Sequence, residues 1–497
     1  MENSVIHDET HPNKANGFIQ SATIAIQDIT LQTALDRGTT RAVNNRVTAM
    51  AETTDAAALR QQGRAARLRA LRRLPDLLEQ LEEKLTARGI TVLWATDGDE
   101  CNAHVVDIAR KHNVHKIAKG KSMATEETKL NHALEAAGLE VIETDLGEFI
   151  IQIAHETPSH IVFPILHKTK EQVRDLFAEH LHMVPSDDPQ ALTAAARVYM
   201  RHQFIEADMG ITGANFAIAE TGNLAIVTNE GNGRMCSSLP RVHVAVVGIE
   251  KVIETVDDFG TLVQLLTRSA TGQRLTTYVH LMGGPARPED PDGPEAMYVI
   301  LLDNGRSHIH STEYAEALAC IRCGACLNTC PVYQNVGGHA YGWVYPGPIG
   351  AIVTPLMTGI HNAAPLPFAS SLCGSCKSAC PVDIDIPDML LKLRGDLVKD
   401  GDTDPIMTAG IKGWAMAMQS PLIYSMSGAA ARLVTRSMAG KDGTLHRLPG
   451  MLGNWTKNRD FPPFAPKSFH QLYQERQKAK QANTGHSEKD AAHHEQS

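Results

Sequence analysis

Seven of the nine cysteines fall within the 61 residues from Cys320 to Cys380, a distribution unlike the dispersed pairs of a disulfide framework. The first group reads Cys320-x2-Cys323-x2-Cys326-x3-Cys330-Pro331, the second Cys373-x2-Cys376-x3-Cys380-Pro381. Thiolates at every third residue of a tight loop turn three sulphurs toward one iron–sulphur cubane and send the fourth to a neighbouring cluster. The proline after the last cysteine turns the chain away.

Crossed ligation gives the first cluster Cys320, Cys323, Cys326 and Cys380, and the second Cys330, Cys373 and Cys376. Where a full second motif would begin with a cysteine stands Ser370. That deficit allows a [3Fe–4S] centre, or a [4Fe–4S] centre completed by Ser370, by another oxygen or nitrogen ligand, or by a partner. Zinc is the competing metal, but the doubled, proline-terminated pattern fits it poorly. Two clusters sharing a crossed ligand set pass single electrons, which suits conduction better than bond making.

Other signals are weaker. Glu220 in Glu220-Thr221-Gly222-Asn223 could act as a base, although Gly and Asn there also make an ordinary turn. Gly231-Asn232-Gly233-Arg234 could cradle an anion, but no dinucleotide or Walker pattern follows, so the sequence offers no case for nicotinamide or ATP. His104, His112 and His115 read as a solvated helical face, and Cys101 and Cys236 as small hydrophobic residues.

These cysteines need a scaffold. From about residue 31 to 85 the chain is rich in Ala, Leu, Arg and Glu at helical spacing. Ile90–Thr96 then reads as a strand, with a helix from near Asp99, short strands at Val114–Ala118 and Glu140–Thr144, and a helix over Thr125–Ala137 between them. Asn215–Glu220, Leu224–Thr228 and Val242–Val247 read as buried strands in an α/β domain. Ser311 or Thr312 is placed to cap a helix running into Cys320, and Pro387 to open another through Val398. The predicted divisions are a lead-in over 1–59, an α/β domain over 60–300, a mainly helical cysteine domain over 301–400, a helical and irregular region over 401–474, and a disordered tail over 475–497.

The chain has 497 residues, 43% of them hydrophobic, and a formal charge of −9, enough for several globular cores and without the basic footprint of a nucleic-acid binder. The opening MENSVIHDETHPNK lacks the charged and apolar regions of a secretory signal, which predicts a cytoplasmic protein. Trp414–Val434 is apolar but interrupted by Gln419, Ser420 and Pro421, so it is expected to lie on a membrane surface or a partner rather than to span a bilayer.

Around the cysteines, Gly210–Asn223, Val227–Glu230 and His243–Lys251 resemble the lactate-utilisation (LUD) domain, as do Ser122-Met123, Glu126-Glu127 and Glu143–Glu148 upstream. With Tyr341–Gly350, Ser370–Cys376 and Arg459–Pro462, roughly residues 60 to 475 resemble the lactate utilisation protein B family. The resemblance implies a sugar-phosphate-isomerase-like α/β LUD domain, a dicluster ferredoxin-type domain, two [4Fe–4S] clusters, and partner subunits that together oxidise L-lactate to pyruvate. Cys323→Ser is expected to abolish the first cluster, because no spare cysteine lies nearby. Iron content should fall, and an unchanged electron paramagnetic resonance spectrum would contradict the ligand assignment.

Overall fold

The computed structural model describes residues 17–402, 405–450, 453 and 455–480. The predicted absence of an N-terminal signal therefore rests on residues outside the described part, as does the tail over 481–497. Residues 475–480 continue a helix that begins at 469. The chain divides at Asp402 and Thr403 into two units.

Ten strands lie among the described residues of the first unit: β1 Thr91–Ala95, β2 Lys116–Lys119, β3 Glu140–Glu143, β4 Met209–Thr212, β5 Phe216–Ile218, β6 Asn223–Thr228, β7 Val242–Gly248, β8 Val252–Ile253, β9 Tyr278–Met282 and β10 Ala296–Leu302. Six form a parallel sheet in the order β1-β10-β7-β4-β2-β3, with Ile300 opposite Val246 and Ile211 opposite Val244. A parallel sheet must be covered on both faces, and the central strands β4, β7 and β10 are correspondingly buried almost throughout. Alternation along β7 divides the load. Ala245 and Val247 pack with Leu74, Leu77, Leu81 and Leu85 of helix Leu74–Ala87. Val244 and Val246 pack with Cys101, Val105 and Ile108 of helix Gly98–Lys111.

The strands read at 215–220 and 224–228 form, but they leave this sheet. As β5 and β6 they join a second, four-stranded sheet in the order β8-β5-β6-β9. The helix expected over 125–137 is two, Met123–Glu127 and Leu130–Ala136. Lys129, at φ +52°, breaks them apart.

The cysteine segment is mainly short helices, among them Ala325–Asn328, Pro331–Val336, Gly347–Thr358, Ser375–Ala379 and Ile386–Lys399. No long helix runs into Cys320. Thr312 instead accepts the Tyr314 N–H, and a short 3₁₀ turn, Ala315–Ala319, delivers the chain. Pro387 does sit in the first turn of its helix, which Asp385 caps.

Helices Ile29–Ala51 and Ala56–Arg72 are more than a lead-in, because they bind this segment to the sheets. Arg67, 1% exposed, donates to the carbonyls of Ala319 at 3.2 Å and Leu318 at 2.9 Å, and also to Val252 at 3.0 Å and Glu250 at 2.5 Å. Arg46 donates to Ala379, Arg60 to Cys380, and Arg64 to Val382 and Asp383.

In the second unit, helices Pro405–Gln419 and Pro421–Ser437 separate at Ser420, where the sequence places the interruption. Among the described residues no helix is long and apolar enough to cross a membrane. Arg67→Met keeps the apolar stem and strands four buried carbonyls, which is expected to cost about 3 kcal/mol or more. A shift of the denaturation midpoint followed by tryptophan fluorescence measures it.

Candidate cluster-binding site

The two cysteine groups fold by the same local rule. In the first, the chain takes left-handed conformations at Arg322 (φ +58°) and Gly324 (φ +72°), on either side of Cys323, before the helix that carries Cys326. In the second, Leu372 (φ +54°) and Gly374 (φ +81°) flank Cys373 before the helix that carries Cys376. Left-handed residues reverse the chain within one or two positions, and this curls each loop so that its sulphurs face inward.

Cys320, Cys323 and Cys326 of the first loop and Cys380 of the second line one void, walled otherwise by Ile161, Ile321, Val382, Ile384 and Ile386 among others. The predicted first ligand set is thus brought together across 60 residues of sequence. All nine cysteines are free thiols. Backbone N–H groups point at two of the sulphurs, Arg322 N to Cys320 Sγ at 3.4 Å and Ile384 N to Cys380 Sγ at 3.4 Å. Burial pushes the Cys323 and Cys326 thiols far up, and that of Cys380 to about 11. Metal binding would release those protons. Among the described residues no three His, Cys, Asp or Glu side chains close on one ion position; these cysteines stand around a space instead. Free, inward-facing thiols with N–H donors on an apolar-walled void suit an iron–sulphur cluster.

The other three predicted ligands differ in their surroundings. Burial, then the nearby Cys330, pushes Cys376 up to about 11, with Cys373 adding to it. Cys330 and Cys376 are buried whereas Cys373 is exposed, and the Ser375 hydroxyl 3.4 Å from its sulphur lowers its thiol below the usual range. In the first set Cys320 is half-buried and the other three are buried, whereas the second set reaches the surface at Cys373.

The surroundings were less legible. Arg60, Arg64 and Arg67 recur at i, i+4 and i+7, one face of a helix, and that spacing was the signal available in the sequence. Behind the first loop, Arg306 bridges Glu127 at 2.7 Å and Glu250 at 2.5 Å, Tyr345 donates to Glu127, and Arg322 lies 3.8 Å from Glu250 and 4.2 Å over the Tyr345 ring. These charges hold one another in place where burial would otherwise be costly.

Arg322 also lines a second, larger cavity of about 350 Å³ at the carboxyl ends of β2, β4 and β7. Open α/β sheets bind ligands in this crevice. Lys121, Lys251, Asn229 and Glu230 contribute polar groups, and Asn232 and Gly233 of the glycine-rich turn lie on its wall. Glu220 does not line it. Its carboxylate accepts the Val256 N–H at 2.9 Å, a capping contact. Cys101 and Cys236 are wholly buried in the α/β cores, and His112 bonds the Tyr298 hydroxyl at 2.9 Å.

His160, unnoticed in the sequence, seats the first loop. Its Nδ1 accepts the N–H groups of Val162 and Phe163, its Nε2 lies 3.1 Å from Asn328 Oδ1, and its ring abuts Gly324 so closely that a Cβ there would stand 2.9 Å away. Burial, then Lys121, lowers it from 6.5 to about 3. The unfolded chain takes up this proton near 6.5 and the folded chain only near 3, so its stabilisation is complete above about 6.5 and drains as pH falls toward 3. His160→Gln should flatten that acid limb in denaturation midpoints measured against pH.

Three families match the chain: the LUD domain at residues 78–302, the 4Fe-4S dicluster domain at 316–384 and the lactate utilisation protein B C-terminal family at 392–478. Lactate utilization protein B of Bacillus pumilus is 42% identical over 469 residues, covering 94% of this chain and 99% of its own. The Bacillus licheniformis protein is 45% identical over 83% of this chain and 87% of its own, and that of Bacillus subtilis 45% over 83% and 86%. A solved DUF162 family protein from Deinococcus radiodurans covers 46% of this chain and 98% of its own at 14% identity, with a TM-score of 0.26, too low to add to the fold assignment. The fold is a LUD α/β domain followed by a dicluster ferredoxin-type domain and a C-terminal helical region. With relatives this similar over nearly its whole length, the chain belongs to the lactate utilisation protein B family.

Proposed function

We propose that this chain is the electron-transfer subunit of a cytoplasmic L-lactate oxidation system, relaying single electrons between the site where lactate becomes pyruvate and a surface partner. The carrying observation is the placement of the cysteines. One set lines a buried void beside the large cavity, and the other reaches solvent at Cys373. Cys320, Cys323, Cys326 and Cys380 would hold the first cluster, and Cys330, Cys373 and Cys376 the second. Bound there, the clusters supply one-electron acceptance and release.

The protein's own groups set the conditions. Arg46 and Arg60 bring positive charge to the carbonyls beside Cys380, and N–H donors on the sulphurs together with local charge tune a cluster's potential. The apolar walls exclude water from the first site. In the C-terminal unit, Ile411, Trp414, Leu422 and Ile423 are exposed on helices 405–419 and 421–437, which supports docking to other subunits. Residues 60–300 would serve as the LUD domain and 301–400 as the conducting domain.

A second reading, favoured by the cavity at the strand ends, makes the chain a self-contained lactate-oxidising enzyme. The two separate in one assay. Cluster-replete chain alone is expected to turn over no L-lactate with an artificial acceptor, whereas the assembly recovered from lactate-grown cells does. Turnover by the isolated chain would establish the second reading. Cys326→Ser should abolish lactate-dependent electron flow in the assembly, and wild-type flow in that variant would reject the conducting role.

A further inference from the structure

The cysteine loops are two copies of one device. Shifting by fifty positions carries Cys323, Gly324, Cys326, Cys330 and Pro331 onto Cys373, Gly374, Cys376, Cys380 and Pro381. The backbone repeats with the sequence: Arg322 and Leu372 are both left-handed, as are Gly324 and Gly374, and each loop runs into a short helix carrying its third ligand position. Only the first position differs, where Cys320 becomes Ser370.

At that position the atoms still correspond. Cys320 Sγ accepts the backbone N–H two residues on, from Arg322, at 3.4 Å. Ser370 Oγ accepts the backbone N–H two residues on, from Leu372, at 3.1 Å. The oxygen therefore occupies, relative to its loop, the place that the sulphur occupies in the other. The backbone beneath it is pinned as well. Arg394 donates to the Ser370 carbonyl at 3.1 Å and to that of Pro367 at 2.8 Å, and lies over the Phe368 ring. The neighbouring Ser375 is engaged otherwise, since its hydroxyl accepts from the Cys373 thiol at 3.4 Å.

Resting on the seven-cysteine reading above, we propose that Ser370 Oγ is the fourth ligand of the second cluster, which is then a [4Fe–4S] centre held by three thiolates and one alkoxide. In forming the Fe–O bond the hydroxyl gives up its proton to solvent, and no electron moves. The crossed pattern then closes on both sides: Cys320, Cys323, Cys326 and Cys380 for one cluster, Ser370, Cys373, Cys376 and Cys330 for the other.

The test uses the full chain, purified without oxygen and loaded with iron and sulphide, as wild type, Ser370→Ala, Ser370→Cys and Ser371→Ala. Iron per chain, Mössbauer spectra and the three-iron paramagnetic signal are read before and after mild oxidation. Wild type and Ser371→Ala should hold about eight irons as two four-iron clusters. Ser370→Ala should lose about one iron per chain and convert most of its second cluster to the three-iron form. Ser370→Cys should keep all its iron, lose it several-fold more slowly on oxidation, and shift the second cluster's midpoint potential.

A Ser370→Ala protein with wild-type iron, spectra and potential overturns the proposal and assigns the corner to solvent or a partner. A wild type that already carries a three-iron second centre overturns it too. Cys373→Ser separates the two levels of the argument. If that variant leaves the second cluster untouched, the seven-cysteine reading itself has failed, whereas its loss together with an unaffected Ser370→Ala removes only the serine.

Discussion

A single buried guanidinium decides how the two halves of the first unit meet. Arg67 has no carboxylate against it among its described hydrogen bonds. Its charge is taken up by four carbonyl oxygens, two from the turn that leads into Cys320, one from Glu250 between β7 and β8, and one from Val252 at the start of β8. Such an ion is tolerable in the interior only when every donor finds an acceptor. The requirement runs both ways, because the carbonyls of Leu318, Ala319 and Glu250 lie in 3₁₀ turns and that of Val252 opens β8. The helix that carries Arg67 thereby fixes the cysteine loop against the sheets.

Around that anchor the charges are arranged by sign. Arg46, Arg60, Arg64 and Arg322 lie near the cysteine loops, and Glu127 and Glu250 stand behind, bridged by Arg306. Four thiolates and a cluster would bring net negative charge into a buried place. A surrounding layer of arginines, of which Arg46, Arg60 and Arg64 are also bonded to backbone carbonyls, supplies the opposite charge. The same residues serve cohesion and electrostatics, so a change in one alters the other.

The chemistry was the most legible part of the sequence, because cysteine spacing encodes local geometry directly: residues three apart in a curled loop face one centre. The first three strands and β5 to β7 were also readable from β-branched runs. β4 was missed since Met209–Thr212 is four residues long and buried on both faces, which leaves no alternation to detect. β10 was missed where the Pro- and Asp-rich stretch before Ala296 reads as the close of a domain. The second sheet could not be told from the first, because pairing partners are not written in strand patterns. His160 was invisible for a related reason: Asn328 and Gly324, which it meets, lie more than 150 positions away.

The separation between Arg67 and Leu318, 251 positions, bears on how the protein is made. At ~5–20 residues per second, the ribosome emits Arg67 roughly ten to fifty seconds before the turn it must clasp. Through that interval the guanidinium waits in water and the sheet grows strand by strand, with β10 emerging just before the cysteines. The ligand loops thus follow the whole α/β body in the order of synthesis, and the walls Val382, Ile384 and Ile386 follow the last of their cysteines.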